Sequence, residues 1–294
     1  MAWLTYLIYS ALWRVVRWLP EQTAYGFFNL LAKIAHRRNG KRVQRLRLNY
    51  QTIKPSLNDS EIEVLVARGL KNAMRYWCET FRISDWDFER ISSTVKTVNE
   101  RYLFDPVKEG RGVIVALPHA GNWDHAGAFF CSRGVKVNTV AEHLKPERLF
   151  KKFLAHRERM GMRVLDLNAG VLGELEEILH EGGLVALVAD RDLSKSGINV
   201  DFFQKTARMP AGPALLAYKT GADLITAFVA YTDKGIEIFF SPPQKVNREL
   251  KQSIEIERLT QSLADQFESD ISKNLDSWHM QQRIFIDESF VERS

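Results

Sequence analysis

Between residues 95 and 240 the sequence alternates short β-branched or apolar runs with stretches of helical periodicity, and this alternation restricts the chain to an α/β fold. The runs predict strands at 95–99, 112–117, 136–141, 162–167, 183–189, 198–203, 223–231 and 235–240. Helices are predicted at 123–132, 147–160, 171–181, 211–220 and 252–275. The runs 112–117 and 184–189 are apolar throughout, as expected for strands covered on both faces. We therefore predict a central, mostly parallel sheet flanked by helices on both faces.

The first ninety residues carry helical patterns only. Helices are predicted at 20–38 and 41–53, and a longer one starts at an N-cap on Ser60 or Asp59 and ends near Phe81. No repeat, low-complexity tract or linker interrupts the chain. We predict a single domain over 1–294, with a helical N-terminal part at 1–90 and an α/β core at 91–294 that would carry the functional site. The two cysteines, Cys78 and Cys131, exclude a disulfide framework or a zinc cluster.

Positive charge is concentrated at the N-terminus. Residues 1–54 contain ten Lys and Arg and a single acid, Glu21, whereas the whole chain carries a net charge of +5. The rest of the chain is therefore net acidic. Such an asymmetry predicts an anionic partner, either a membrane surface or nucleic acid.

The opening segment "MAWLTYLIYSALWRVVRWLP" favours the membrane. Its uncharged run is shorter than the roughly 20 apolar residues of a bilayer span. Its charges follow the apolar run, whereas a secretory signal has them in front and ends at a small-residue cleavage site. Trp and Tyr rings followed by arginines are typical of an interfacial helix. The alternative is a core helix packed on its own domain, and the two are compatible. No nucleic-acid-binding module is recognisable, so we expect no nucleic-acid partner.

The stretch "ALPHAGNWDHAG" (116–127) places His119 just beyond a buried strand, where ligand crevices form in open α/β sheets. Gly121 and Asn122 suit a tight turn, and Asp124 begins the next helix. A carboxylate beside the imidazole would raise its basicity and fix its tautomer, which makes His119 a candidate general base. Backbone N–H groups at the helix start could hold a developing oxyanion.

Two other interpretations of this stretch stay open. A metal site could use His119, Asp124 and His125, although adjacent side chains rarely point at one ion and no HExxH pattern is present. A purely structural turn capped by Asp124 is the other. A covalent nucleophile is not evident, because no GxSxG sequence occurs and Cys131 lies within a predicted helix. Direct proton abstraction from a substrate hydroxyl is the chemistry that remains.

The spacing His-X4-Asp after a buried strand resembles the signature of the glycerolipid acyltransferases, which move an acyl chain from a thioester to a hydroxyl. The string "LPHAGNWD" (117–124) resembles the subgroup of lipid A acyltransferases and actinobacterial phosphatidylinositol mannoside acyltransferases. The blocks at 141–162, 187–203 and 207–217 follow in the expected order, and the likeness extends to "SWHMQQRIF" (277–285). Lipid A enzymes usually have glutamate in place of Asp124 and "DQ" where this chain has "DRD". Those departures favour the mannoside branch.

The resemblance implies roles for particular residues. His119 would be the general base, and Asp124 its partner or a local anchor, while the family's second block implies substrate-binding roles for Glu142 and Arg157. Asp190 ends another buried strand and should enter the same crevice, so the carboxylate that contacts His119 is either Asp124 or Asp190. Candidates for phosphate or sugar contacts are Arg191, Asp192 and Arg208.

Simpler interpretations of these residues also stay open. Glu142 and Arg157 could form a surface ion pair of little energetic consequence. Asp190 and Asp192 could cap the loop that follows the strand.

The implied function is transfer of a long acyl chain, palmitoyl in length, from acyl-CoA to a sugar hydroxyl of a membrane glycolipid, a phosphatidylinositol mannoside. The alternatives are a lipid A-type or lysophospholipid acyltransferase, a metal-dependent hydrolase, and a non-catalytic membrane-binding protein. No metal or prosthetic group is expected. Residues 1–54 would hold the enzyme peripherally on the cytoplasmic face of the inner membrane, without a spanning helix. Phenylalanines that could line an acyl channel are Phe129, Phe130, Phe150 and Phe153.

Overall fold

In a computed structural model, which describes residues 2–141, 145–168, 170–192 and 194–286, the chain forms an α/β structure. The helices are α1 (Ala2–Trp18), α2 (Glu21–Arg38), α3 (Lys41–Ile53), α4 (Asp59–Arg82), α5 (Phe88–Ser93), α6 (Arg101–Lys108), α7 (Trp123–Ser132), α8 (Glu147–Arg159), α9 (Val171–His180), α10 (Gly212–Thr220) and α11 (Gln252–Lys273). The strands are β1 (Val95–Val98), β2 (Val113–Leu117), β3 (Val137–Ala141), β4 (Arg163–Asp166), β5 (Leu184–Val188), β6 (Ile198–Phe202), β7 (Lys205–Met209), β8 (Asp223–Tyr231) and β9 (Ile236–Phe240).

Seven of these strands form the main sheet, in the order β1-β9-β8-β2-β5-β3-β4. All neighbouring pairs are parallel except the hairpin pair β8 and β9. Strand β2 lies between β8 and β5, and its last residue, Leu117, pairs with Val188 at the end of β5. The carboxyl ends of these two strands therefore meet at one edge of the sheet.

The sheet is covered on both faces, as the apolar runs predict. Side chains of β2 alternate between two hydrophobic clusters: Ile114 and Ala116 face one, and Val113, Val115 and Leu117 face the other. The first cluster is completed by residues from α3, α4, α9, α10 and α11, and the second mainly by residues from α6 and α7. Strand β5 differs from expectation, because its second half, 186–188, is only half-buried.

Several elements depart from the sequence predictions. Helix α4 is capped by Asn58 and not by Ser60 or Asp59, because Asn58 and Glu61 each accept a hydrogen bond from the other's backbone in a capping box. Strand β7 and helices α5 and α6 have no counterpart among the predicted elements. Strand β7 pairs antiparallel with β6 to form a separate two-stranded hairpin.

Helix α1 carries apolar side chains on two opposite sides, of which one is buried and the other exposed. Trp13 and Val16 are buried against α4 and α8, and the Trp13 indole donates to the Phe81 carbonyl at 2.9 Å. On the other side Trp3 and Trp18 are 62% and 80% exposed, and Leu7 and Val15 are exposed with them. The helix thus packs on protein with one side and presents an unpartnered apolar side outward. Among the described helices, none is both long enough and apolar enough to cross a membrane.

The contact between α1 and α8 encloses a histidine. His156 is fully buried, its ring meets the Trp13 indole edge-on at 4.9 Å, and neither ring nitrogen has a hydrogen-bond partner among the described residues. Burial is the main reason that the pKa of His156 falls to about 4. The ring is therefore neutral in the folded protein at physiological pH.

Replacing His156 with Phe should weaken the pH dependence of stability. Below the ordinary histidine pKa of 6.5 the unfolded chain binds a proton here, whereas the folded chain does so only near pH 4. Acidification through that window therefore favours unfolding, by about 2 kcal/mol at pH 5. We expect His156→Phe to lose less stability than the wild type between pH 7.5 and 5, as measured by urea unfolding.

The matched control is His180→Gln, because His180 is exposed at the end of α9. This variant should keep the wild-type pH dependence. An unchanged pH dependence in His156→Phe would show that His156 already binds its proton in the folded state.

Candidate active site

His119 and Asp190 lie at the carboxyl edge of the sheet, two residues beyond the ends of β2 and β5 respectively. Gly121 turns the chain from β2 into α7 with φ of 58°. A Cβ at this position would overlap the carbonyl oxygen of Val229, so the turn requires glycine. Asn122 then caps α7 by accepting from the His125 amide at 3.0 Å. The tight turn predicted at Gly121 and Asn122 is confirmed.

The carboxylate that contacts His119 is Asp190. Its Oδ1 lies 2.5 Å from His119 Nδ1, and its Oδ2 accepts the His119 backbone amide at 3.0 Å. Asp190 is fully buried, whereas the His119 side chain is 36% exposed. With Nδ1 held by the carboxylate, Nε2 is the ring nitrogen left to meet a substrate.

A third donor reaches Asp190 from the far end of the chain. The indole Nε1 of Trp278 donates to Asp190 Oδ2 at 2.8 Å. Burial would raise the pKa of Asp190, but the His119 charge and the bonds from His119 and Trp278 outweigh it and lower the pKa below its ordinary value. Asp190 is consequently an ionised partner for His119 at neutral pH.

The segment that carries Trp278 also closes the loop after β2. The Gly121 amide donates to the Ser277 carbonyl at 2.8 Å, and His279 Nε2 lies 3.1 Å from the Gly121 carbonyl oxygen. Since the Gly121 N–H is already bonded to Ser277, it is not among the backbone donors available to an oxyanion. The segment is anchored in turn by Tyr50 of α3, whose hydroxyl donates to the Trp278 carbonyl at 3.0 Å.

Asp124 belongs to a different network. Its Oδ1 accepts from Arg157 Nε at 2.8 Å, and its Oδ2 accepts from the Tyr76 hydroxyl at 3.0 Å and, more weakly, from Thr80. Among the described residues, the Asp124 carboxylate makes no hydrogen bond to His119. Burial and then the Asp124 charge raise the pKa of Tyr76, so this hydroxyl stays protonated and donates. Asp124 therefore joins α7 to α4 and α8.

Arg157 supplies the positive charge that pairs with Asp124. Burial alone would lower the pKa of Arg157, but the Asp124 carboxylate outweighs it and the pKa is raised. The Arg157 side chain is only 20% exposed, so its ion pair with Asp124 is not a surface pair. Its expected companion, Glu142, lies outside the described residues.

His125 points away from His119. Its Nε2 lies 3.1 Å from Thr94 Oγ1, and its ring packs edge-on against Trp86. It lines a polar cavity of about 580 Å³ between α2, α4 and the β8–β9 turn. Burial lowers the pKa of His125 to about 4. The three residues of the alternative metal site thus have separate partners, and no group of three or more potential ligands that could hold a metal occurs within the described residues.

The remaining predicted binding residues lie in the loop after β5 and in the hairpin. Arg191 Nε donates to the Arg283 carbonyl at 2.8 Å. Asp192 accepts from the Ser194 amide at 2.8 Å, as expected for a residue that caps the loop. Arg208 donates to Asn199 and to the Ser194 carbonyl. These bonds fix the loop and hairpin beside the site.

The phenylalanines proposed for a channel are mostly core residues. Phe129 and Phe130 are buried in the cluster on the α7 side of the sheet, and Phe153 packs against Trp13. Phe150 is buried as well. The half-buried apolar surface near His119 instead comes from the carboxyl ends of β3 and β5, at 139–141 and 186–188.

Sequence reasoning missed Trp278, Tyr76 and His279. Two of them lie near Trp123, which also contacts His119. The Trp123 ring centroid is 4.4 Å from that of Tyr76 and 5.9 Å from those of His279 and His119. No spacing rule links residue 278 to residue 190. The only available signal was the family-like string at 277–285, which marks the segment but assigns no contact to it.

Comparison of the sequence with known proteins identifies the class of protein that has this fold and site. The chain belongs to the bacterial lipid A biosynthesis acyltransferase family, whose sequence model matches residues 1–286. It is 37% identical over 292 residues to the phosphatidylinositol mannoside acyltransferase of Mycolicibacterium smegmatis, covering 98% of this chain and 94% of that protein. It is 34% identical over 279 residues to the protein of that name in Mycobacterium tuberculosis, covering 93% and 86%. The resemblance found in the sequence is confirmed.

Breaking the buried ion pair of Asp124 should be costly. Arg157→Met leaves the Asp124 carboxylate buried without its cation, for which we expect a loss of about 3–5 kcal/mol in the free energy of unfolding. The double variant Asp124→Asn with Arg157→Met removes both charges and should recover much of that loss. Urea unfolding measures both.

Lys219→Met is the matched control, because Lys219 forms an exposed pair with Glu176. It should cost less than about 1 kcal/mol. Equal losses for Arg157→Met and Lys219→Met would contradict a structural role for the buried pair.

Proposed function

We propose that this protein transfers a long-chain acyl group, palmitoyl in length, from acyl-CoA to a sugar hydroxyl of a membrane glycolipid, a mannose of a phosphatidylinositol mannoside. The observation that carries the proposal is the pairing of a partly exposed His119 with the buried, ionised Asp190 at the carboxyl edge of the sheet. The acceptor is inferred from the names of the relatives in Mycolicibacterium and Mycobacterium.

His119 is the general base in this mechanism. Asp190 accepts a hydrogen bond from the Nδ1–H of His119 at 2.5 Å, which leaves the lone pair of Nε2 to take the proton of the sugar hydroxyl. The hydroxyl oxygen attacks the thioester carbon and forms a tetrahedral intermediate. The carbon–sulfur bond then breaks, the ester remains on the sugar, and the thiolate of coenzyme A leaves with the proton that His119 has held.

The oxyanion is stabilised by backbone donors at the start of α7. Gly121 is excluded by its bond to Ser277. The amides of Asn122 and Trp123 have no hydrogen-bond partner among the described residues, and the helix N-terminus favours negative charge there. No metal or prosthetic group takes part, so a chelator should leave the rate unchanged.

The acyl chain follows the half-buried apolar surface at the ends of β3 and β5. Val188 pairs with Leu117, only two residues before His119, so this surface begins beside the reacting atoms. Ala186 lies on the same face of the sheet as Val188 and continues this surface. Glu142, Arg157, Arg191, Asp192 and Arg208 stay candidates for substrate contacts, and Asp124 acts mainly as the anchor of α7.

The outward side of α1 attaches the enzyme to the membrane. Trp3 and Trp18 can lie at headgroup depth, and exposed basic residues of this part of the chain, such as Arg14, Lys33 and Arg37, are available for anionic phosphates. Acyl-CoA is a cytosolic substrate, which assigns the cytoplasmic face of the inner membrane. Both lipid substrates are then encountered at high local concentration.

His119→Ala and Asp190→Asn should abolish most of the activity while the protein stays folded. We expect kcat to fall at least about 10³-fold for His119→Ala, because the general base is removed. For Asp190→Asn we expect a fall of about 10²-fold or more, because the carboxylate that fixes the tautomer of His119 is lost. The assay is thiol release from palmitoyl-CoA, with mass spectrometry of the lipid product from mannosylated phosphatidylinositol.

Lipid A precursors and lysophospholipids serve as competing acceptors in the same assay. Faster acylation of either would overturn the mannoside assignment but keep the chemistry. Wild-type rates in His119→Ala would reject the general base. Loss of activity with a chelator would favour the hydrolase alternative.

Membrane attachment should depend on the exposed tryptophans of α1. Trp3→Ser with Trp18→Ser should reduce flotation with vesicles of phosphatidylglycerol and phosphatidylcholine roughly tenfold or more, because two interfacial rings are lost. These changes leave the buried Trp13 untouched.

Phe88→Ser is the matched control, since Phe88 is 60% exposed but lies on α5. Its flotation should equal that of the wild type. If all variants and the wild type stayed in solution with anionic vesicles, the membrane proposal would be wrong.

A further inference from the structure

Trp278 contacts the reacting histidine only through another residue. Its side chain is fully buried, and its indole N–H donates to Asp190 Oδ2, the same oxygen that accepts the His119 amide. Because Oδ2 is occupied by these two donors, Oδ1 is the oxygen that faces His119 Nδ1. The orientation of the carboxylate is thus fixed from two sides.

We propose that Trp278 is a positioning residue for acyl transfer, which holds Asp190 in the orientation that His119 needs and limits how strongly Asp190 retains a proton on the imidazole. The proposal rests on the proposed function of His119 as general base. It makes the unit at the sheet edge a chain of three side chains, His119, Asp190 and Trp278.

The position of Trp278 is itself well determined. Its backbone forms an antiparallel bridge with Ala120, the residue after His119, and its carbonyl accepts from the Tyr50 hydroxyl. Its ring packs edge-on against Phe202 of β6. The indole is therefore held beside Asp190, and the segment 277–279 is bonded directly to the loop that carries the base.

The electrostatic effect follows from the donor's position. A hydrogen bond to a carboxylate withdraws charge from it, so removing the donor makes the carboxylate attract a protonated imidazole more strongly. Titratable groups on the elements packed around the pair include His279, bonded to the Gly121 carbonyl, and Tyr76 of α4, bonded to Asp124. Tyr50 of α3 is another, and it is bonded to the Trp278 carbonyl. Arg191 and Asp192 follow Asp190 in the chain and bond to loop backbone.

The test is Trp278→Phe, which removes the N–H and keeps an aromatic ring. We expect kcat to fall roughly tenfold, because a misplaced carboxylate holds the base in the wrong orientation. KM for palmitoyl-CoA should stay within about twofold, since a fully buried indole meets no substrate. The acid limb of kcat/KM against pH should move up by about half a pH unit.

Tyr50→Phe is the matched control. It removes the other hydrogen bond of the Trp278 residue, the one to its carbonyl, and leaves the indole intact. It should lower stability without moving the acid limb. If Trp278→Phe and Tyr50→Phe lost activity equally and neither moved the limb, Trp278 would be a packing residue only and the proposal would be overturned.

A second variant covers the case in which Trp278→Phe does not fold. Replacing Trp278 with β-(3-benzothienyl)alanine keeps the shape of the bicyclic ring and lacks the N–H. The same loss of kcat and the same shift of the acid limb are expected. Wild-type kinetics in this variant would overturn the proposal.

A readout without turnover separates this proposal from the proposed function. The ring of His119, followed by NMR with labelled histidine, should titrate at higher pH in the variant than in the wild type. That result would hold even if no lipid were acylated, in which case the proposed function alone would fail. Identical titrations would refute the positioning role, whatever the activity of the wild type.

Discussion

The buried carboxylate of Asp190 is the constraint on which the rest of the site depends. A charge removed completely from water must be compensated, and here three hydrogen bonds compensate it, two from His119 and one from Trp278. These donors come from the loop after β2 and from a segment near the end of the chain. The site can therefore form only when the strands, the loop and the segment 277–279 are assembled together. Because Tyr50 and Asn72 of the N-terminal helices hold that segment, those helices are part of the same assembly.

Buried carboxylates with polar or charged partners also occur at the start of α7. Asp124 is buried beside Arg157, and Asn122 donates to Glu79, which is itself buried and paired with Arg75. The two residues of the His-X4-Asp spacing thus have different roles. His119 lies at the sheet edge and is paired with Asp190, whereas Asp124 bonds α7 to α4 and α8. Asp124, with four residues between it and His119, would have to leave this network to reach the imidazole. One short motif thus fixes both the His119 side chain at the sheet edge and the helix that follows it.

The sequence predicted the layers of the fold and the edge where the site lies, because buried parallel strands and helix periods leave clear patterns. It did not predict β7, since "KTARM" has no apolar run and the hairpin turn places Phe203 and Gln204 at positive φ, where glycine or asparagine is the usual signal. It restricted the partner of His119 to two aspartates but could not choose, because that choice depends on which carboxylate Arg157 and Tyr76 already occupy. The Trp278 contact spans 88 residues and leaves no local trace.

The N-terminal helices are rich in basic residues and also pack on the rest of the protein, so they cannot be treated as a membrane anchor alone. Helix α8 contacts α1 through His156 and contacts α7 through the next residue, Arg157. Removing α1 would therefore expose the cluster around Trp13 and disturb the helix that holds Asp124, so a truncated protein would report on folding as much as on lipid binding. The exposed side of α1 carries Trp3 and Trp18 and lies away from this packing. A bilayer that contacts that side would leave the buried side in place, so attachment and catalysis can proceed together without a rearrangement of the site.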